Sequence, residues 1–276
     1  MRGTELLTDA VRRLTAAGVA QPAVDARRLL AHALALEPGR LTLALPEQVA
    51  PDAAEAFGAC IARRERREPV SHITGTRLFY GRQFAVSAEV LDPRPETEML
   101  IEAALARPFE KVLDLGTGTG CILLTLLAEM PGARGLGTDL SEEALAVARA
   151  NAEALHLAVK TEFTVADWFD GLGDHYDLIV ANPPYLAQDE LPELEPEVRE
   201  YEPHLALTDG GDGLGSYREI TAGAPERLLP GGRLIMEIGP GQGREVMALA
   251  YGAGFTQVAI IRDLDGRDRV VTAQIG

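Results

Sequence analysis

Cysteine is almost absent from this chain of 276 residues. Cys60 and Cys121 stand alone, without the spacing of a zinc site or of a disulfide framework. The five histidines are scattered and show no ligand pattern. No metal is therefore expected. Long apolar runs are missing too, so no membrane-spanning helix is read. Glu5, Asp9, Arg12 and Arg13 put charge where a secretory signal needs an apolar stretch, and a cytoplasmic protein is expected. Positive charge is the third deficit. There are 26 Lys and Arg against 42 Asp and Glu, a net charge of −16. That balance argues against affinity built on phosphate neutralisation, so direct nucleic-acid binding is not expected. It suits a basic protein partner, or simply solubility.

What is present is an ordinary apolar fraction of 46% and length enough for one large domain plus a small one. The first part reads as helices, with Leu6, Leu7, Ala10, Val11 and Leu14 at helical spacing. Leu29, Leu30, Ala33 and Leu34 follow, then Phe57, Cys60 and Ile61, with proline-bearing breaks at 18–22 and 46–51. Arg63, Arg64, Arg66 and Arg67 end the third helix, where cations oppose the negative end of its dipole. Leu78–Tyr80 and Gln83–Val86 flank Gly81-Arg82 as a hairpin. From about Pro95 strands alternate with helices. The division expected is a helical domain over 1–70, a hairpin linker over 71–94 and an α/β domain over 95–276. Late strands are read at Arg233–Ile238, Thr256–Ile261 and Val270–Ala273, with a helix at Arg244–Ala250 between the first two. The acidic, proline-bearing stretch 189–203 reads either as a solvated loop or as a lip beside a site.

The most informative residues are Asn182-Pro183-Pro184-Tyr185, directly after the apolar run Asp177–Ala181. That run reads as a buried parallel strand, and ligands bind at the carboxyl edge of such sheets. The tetrapeptide suits one chemical problem, the methylation of a planar, conjugated –NH2 group. Its nitrogen is a poor nucleophile because its lone pair is delocalised. A site must hold both N–H bonds and aim the remaining lobe at the electrophile. The Asn182 side-chain oxygen and the Pro183 carbonyl can each accept one N–H, and both bonds strengthen as positive charge grows on nitrogen. Each proline holds the residue before it extended and removes a competing N–H. Tyr185 offers a flat wall. The plainer alternative is a proline-stiffened turn with a packed tyrosine.

A second half-site lies upstream. Lys111–Leu115 reads as a short strand that breaks into Gly116-Thr117-Gly118-Thr119-Gly120, and a helical pattern begins at Cys121. Cys121 takes the position of the last glycine in a dinucleotide fingerprint, which disfavours NAD. A Gly-x-Gly-x-Gly loop lets backbone approach a compact ligand without a pyrophosphate, as S-adenosyl-L-methionine requires. The next strand, Gly135–Thr138, ends in Asp139, where a carboxylate can take both ribose hydroxyls. Ser141 then caps a helix. After a strand near Phe163–Val165, Asp167 offers a carboxylate for an adenine amino group and Trp168 a ring for its face. Read singly, Asp139 also admits a cap and Trp168 ordinary core as the lesser alternatives.

With these residues the chain resembles the class I S-adenosylmethionine-dependent methyltransferases, and more narrowly the bacterial protein-(glutamine-N5) methyltransferases that modify peptide chain release factors. The resemblance spans nearly the whole chain. It rests on Pro69–Gly75, Phe79-Tyr80-Gly81, the Pro93-Arg94-Pro95-Glu96-Thr97-Glu98 run, Asp114–Gly120 and Asp167-Trp168. It continues through the Asn-Pro-Pro-Tyr box, Tyr201-Glu202-Pro203 and Asp263–Gly266 running into Arg269-Val270-Val271. Asp92 stands where the family usually has an apolar residue, and His72 where tyrosine is commoner. The resemblance implies a Rossmann-like α/β sheet with a small helical N-terminal domain and a connecting hairpin. It implies that Asp114, Gly116 to Gly120 and Asp139 hold the methionine and ribose parts of the cofactor and that Trp168, with Asp167, meets the adenine. Asn182, Pro183, Pro184 and Tyr185 would receive the glutamine amide, with Asn182, Pro183 and Tyr185 as the catalytic set. The implied acceptor is the Gly-Gly-Gln glutamine of class I release factors, which ties the activity to translation termination. A monomer is expected. Glutamine methylation of a ribosomal protein and adenine N6-methylation of nucleic acid are the rival readings.

Overall fold

The computed structural model describes the backbone of residues 1–276 and every side chain but that of Pro38. By its internal contacts the chain forms two units, Met1–Thr76 with Glu195–Tyr201, and Arg77–Leu194 with Glu202–Gly276. The first contains α1 (Gly3–Ala16), α2 (Pro22–Ala33), α3 (Leu41–Ala44), α4 (Pro51–Glu65) and α5 (Val70–Thr74). Pro22 and Pro51 start their helices, where a missing N–H leaves no bond unmade. The apolar stripes of three helices meet: Ala10 and Leu14 of α1, Leu29 and Leu30 of α2, Phe57 and Ile61 of α4 form one buried cluster.

The second unit opens with a hairpin of β1 (Thr76–Phe79) and β2 (Arg82–Ala85). Its turn residues are Tyr80 and Gly81, both at positive φ (46° and 73°), so the turn sits one residue earlier than Gly81-Arg82. A two-residue hairpin whose central residues are both left-handed matches strand twist. The strained Tyr80 is held by a bond from its N–H to Glu98 Oε1 at 3.1 Å. There follow α6 (Glu98–Leu105), β3 (Lys111–Leu115), α7 (Cys121–Glu129), β4 (Arg134–Asp139), α8 (Glu142–Ala154), β5 (Thr161–Val165) and β6 (Tyr176–Ala181). The chain continues through α9 (Pro196–Tyr201), α10 (Gly215–Gly223), β7 (Leu228–Glu237), α11 (Gly243–Gly252), β8 (Thr256–Arg262) and β9 (Asp268–Gln274).

Seven strands form one sheet in the order β5-β4-β3-β6-β7-β9-β8. The first five are parallel, and β9 lies antiparallel to both β7 and β8. The central strands are apolar throughout because both faces are covered. Val112, Leu178, Val180 and Ile235 point to the cluster that includes Leu100, Ile101 and Leu124. Their neighbours Leu113, Ile179, Leu234 and Met236 point to the other, with Tyr217, Ile220 and Val246. Strand β7 begins at Leu228 instead of Arg233. Its Pro-Gly-Gly interior looks like a loop in sequence, and the pairing with β6 does shift register there.

Two expectations change. Residues 189–203 are neither simply solvated nor one piece, because α9 belongs to the helical unit. Nor do the arginines of α4 merely oppose a dipole. Arg64, buried, binds Asp25 Oδ2 from Nε and Glu197 Oε1 from Nη2, each at 2.8 Å. Arg67 Nε donates to the same Glu197 oxygen at 2.7 Å, and the Tyr201 hydroxyl donates to the Arg66 carbonyl at 2.7 Å. Opposite charges distant in sequence are the stronger partners.

Candidate active site

The carboxyl ends of β3, β4, β5 and β6 open on a cavity of about 610 Å³, at the point where strand order reverses beside β3. After β3, Gly116, Gly118 and Gly120 all take positive φ (67°, 53° and 77°), which L side chains adopt at a cost. Gly120 has a second constraint: a Cβ there would lie 3.1 Å from Leu124 Cδ1 and 3.3 Å from Ala148 Cβ. The loop is tied beneath by Thr117, whose N–H meets the Thr138 carbonyl at 2.8 Å and whose hydroxyl donates to Asp114 Oδ2 at 2.7 Å. At its side, buried Asn151 donates to the Thr119 carbonyl (2.9 Å) and the Ala85 carbonyl (3.1 Å), while its oxygen accepts the Ala85 N–H (2.7 Å).

Asp139, at the end of β4, accepts the Gly118 N–H at 2.9 Å and the Ser141 N–H at 3.0 Å, and it lines the cavity. Ser141, not Asp139, is the helix cap, accepting the Ala144 N–H at 3.0 Å. Asp167 and Trp168 line the cavity at the end of β5. Trp168 has φ of 46°, a strained conformation for so bulky a residue. Asn182 and Pro184 line the cavity at the end of β6. Both halves of the site foreseen in the sequence thus share one space.

Residues 5–75 match the family model described as the PrmC N-terminal domain, and residues 83–195 the one described as the methyltransferase small domain. The Release factor glutamine methyltransferase of Cereibacter sphaeroides is 58% identical over 275 residues, covering 100% of this chain and 99% of that protein. Its counterpart from Rhodospirillum rubrum is 47% identical over 273 residues, covering 98% and 84%. This chain belongs to the release factor glutamine methyltransferase family. A solved methyltransferase from Pyrococcus furiosus, 16% identical, superposes with a TM-score of 0.58 over 78% of this chain and 98% of its own, and so shares the fold.

The family's cofactor is S-adenosyl-L-methionine, and the residues here fit it. The glycine loop presents backbone to the cavity, Asp139 offers a carboxylate and Trp168 a ring. Beneath the loop, Asp114 is fully buried and its Oδ1 has no hydrogen-bond partner. Burial pushes the Asp114 carboxyl up to about 7, against the lowering bond from Thr117.

The structure places Asp114, Gly120, Pro183 and Tyr185 behind the cavity wall. Pro183 is buried. Tyr185 packs against the second core cluster, its carbonyl accepts Gln242 Nε2 at 2.9 Å, and burial pushes its hydroxyl up to about 12. Three polar residues to which sequence reasoning assigned no role in the site stand close by, two of them within the Pro-Arg-Pro-Glu-Thr-Glu run. Arg94 and Thr97 line the cavity. Arg94 Nη2 donates to both oxygens of buried Glu202 at 2.6 Å, linking the Pro-Arg-Pro-Glu-Thr-Glu run to the Tyr-Glu-Pro segment. Glu237, 2% exposed, ends β7 beside Asn182. A glutamate closing the apolar run Leu234-Ile235-Met236 was the available signal.

Proposed function

We propose that this chain methylates the side-chain nitrogen N5 of a glutamine in a class I peptide chain release factor, at the Gly-Gly-Gln motif. The observation that carries the reading is the meeting of the glycine loop, Asp139 and Asn182 around one cavity, in a chain with a full-length relative of that name. Bound S-adenosylmethionine supplies an electrophilic methyl carbon on a sulfonium. The chain's own residues then do the rest. Asn182 Oδ1 accepts an N–H bond of the glutamine amide and turns the lone-pair lobe of its nitrogen toward that methyl carbon, while Pro183, behind the wall, holds Asn182 extended. As the nitrogen–methyl bond forms, the methyl carbon–sulfur bond would break and leave a neutral thioether; positive charge passes to nitrogen, and the fixed Asn182 dipole stabilises it without reorganising. Nitrogen's proton becomes acidic only then and leaves to solvent, so no strong base is needed beforehand. Asn182 therefore positions and stabilises, and abstracts no proton. Tyr185, anchored through Gln242, steadies the tetrapeptide from behind. Gly116, Gly118 and Asp139 hold the methionine and ribose parts, and Trp168 with Asp167 the adenine. The acidic surface suits a basic protein partner. No helix among the described residues is long and apolar enough to cross a membrane.

The test is direct. The purified chain is incubated with methyl-labelled cofactor and, separately, with release factor, ribosomal protein and DNA, and labelled sites are mapped by mass spectrometry. Label on the release-factor glutamine is expected; label on DNA or ribosomal protein with none on release factor would overturn the assignment.

A further inference from the structure

Residues Asn182 and Glu237 each follow the paired residues Ala181 and Met236 at the ends of neighbouring parallel strands. They therefore leave the sheet side by side. Between them stands Thr97, buried at the start of α6. Asn182 Nδ2 donates to Thr97 Oγ1 at 3.3 Å, and Thr97 is also the hydroxyl whose nearness lowers the Glu237 carboxyl. The other carboxyl oxygen of Glu237, Oε2, is buried without a partner.

An asparagine amide is nearly symmetrical in shape and opposite in hydrogen-bonding sense on its two sides. Turned one way it offers an acceptor to the cavity; turned the other way it offers two donors, which would repel a glutamine –NH2. A hydroxyl alone cannot decide, because it both donates and accepts. A carboxylate only accepts, so it captures the Thr97 hydrogen and leaves that oxygen only its lone pairs for Asn182. We propose that Glu237 is a positioning residue that, through Thr97, fixes the Asn182 amide with its oxygen toward the cavity. The inference rests on the proposed function, since only an amino-group acceptor needs that orientation.

Burial raises the Glu237 carboxyl to about 7, while the Thr97 bond and the guanidinium groups of Arg269 and Arg94 lower it and Glu96 raises it. The charge of this carboxyl also raises the Tyr185 and Tyr217 hydroxyls and the Cys121 thiol, and burial keeps all three titrating far above neutrality. In acid, protonated Glu237 can donate to Thr97, freeing the hydroxyl hydrogen to bond the Asn182 oxygen and reverse the amide. The relay thus works when Glu237 is ionised.

Two measurements test it. Side-chain amide NMR of the protein without substrate should show the Asn182 NH2 signal displaced in Thr97→Val and in Glu237→Gln, and close to its parent position in Thr97→Ser. In the transfer assay, Thr97→Val and Glu237→Gln should each lower kcat by roughly tenfold to a hundredfold, the scale of one lost oriented group. Cofactor affinity, read by quenching of Trp168, should stay within about twofold, on the order of the noise expected for an untouched site. The double variant should be no worse than either single one, because both break the same chain. The rise of kcat with pH through about 7 should vanish in Glu237→Gln. An Asn182 signal identical in parent and Thr97→Val overturns the relay, as does full kcat in both variants. A parent protein that labels no release-factor glutamine counts against the substrate alone, and the NMR comparison still decides the relay.

Discussion

Glu202 offers a sharp test of how burial sets charge in this protein. Its carboxyl is almost wholly buried, with one guanidinium nitrogen of Arg94 bridging both oxygens. Burial pushes it from 4.5 up to about 7 even though Arg94 and Arg77 pull the other way, and Asp92 adds to the rise. Below about pH 4.5 folded and unfolded chains both hold the proton. Between 4.5 and 7 the unfolded chain releases it while the folded chain keeps it, so stability falls as pH rises. Above about 7 both are ionised and the loss is complete. The rise from 4.5 to about 7, at about 1.4 kcal/mol for each tenfold in the proton equilibrium, amounts to about 3.5 kcal/mol. Glu202→Gln removes the titration while keeping shape. The variant should therefore gain on the parent as pH rises, the gap widening by about 2 kcal/mol between roughly pH 5.5 and 8.5. Asp114 and Glu237 titrate in both proteins and cancel. Urea unfolding followed by Trp168, the single tryptophan, reports on the unit that holds Glu202. A constant difference between variant and parent across that range would refute the argument, and so would a variant that is the less stable at high pH by a growing margin.

Three further outcomes are expected. Asn182→Ala should slow methyl transfer by about 10²-fold or more while cofactor binding, read by Trp168 quenching, weakens less; unchanged turnover would remove its role. Asp139→Ala should mainly weaken cofactor binding, and because it also releases the Gly118 N–H the glycine loop should show faster amide exchange; an affinity equal to the parent's would rule the contact out. Arg64→Ala leaves Asp25 buried without its guanidinium and Glu197 with Arg67 alone, a change worth about 3–5 kcal/mol. Proteolysis should then open the segment 1–76 well before the Trp168 signal changes; simultaneous loss of both would contradict the separate cores.

Much of the fold was legible because its signals are local. The run Lys111–Leu115 into three glycines, and Asp177–Ala181 into Asn-Pro-Pro-Tyr, carry strand, turn and edge within a few neighbours. The glycines are needed because their φ values are positive, which sequence spacing alone suggests. The electrostatic connections were not legible. Arg64 meets Glu197 and Arg94 meets Glu202 across more than a hundred residues, and nothing in the acidic stretch 189–203 reveals which of its carboxylates are gripped. Thr97 was seen only as part of a family run and Glu237 not at all, for the same reason: their bearing on the site comes from distant neighbours, Thr97 through its bond from Asn182 and Glu237 through its place beside Asn182 at the strand ends. Helix α10 was also missed, since glycines at both its ends mask the burial of Tyr217 and Ile220.

Assigning Glu195–Tyr201 to the helical unit bears on how the protein can be dissected. The backbone passes from one unit to the other three times, at 76–77, 194–195 and 201–202. A recombinant fragment starting near residue 77 would still carry Glu197 but neither Arg64 nor Arg67, leaving two anionic side chains, Glu195 and Glu197, bereft of their counterions. The complementary piece, ending at residue 76, would lose a helical turn and a half of its own body. Excision at the sequence boundary therefore yields two damaged halves, and a faithful separation requires supplying α9 in trans or grafting it onto the helical piece.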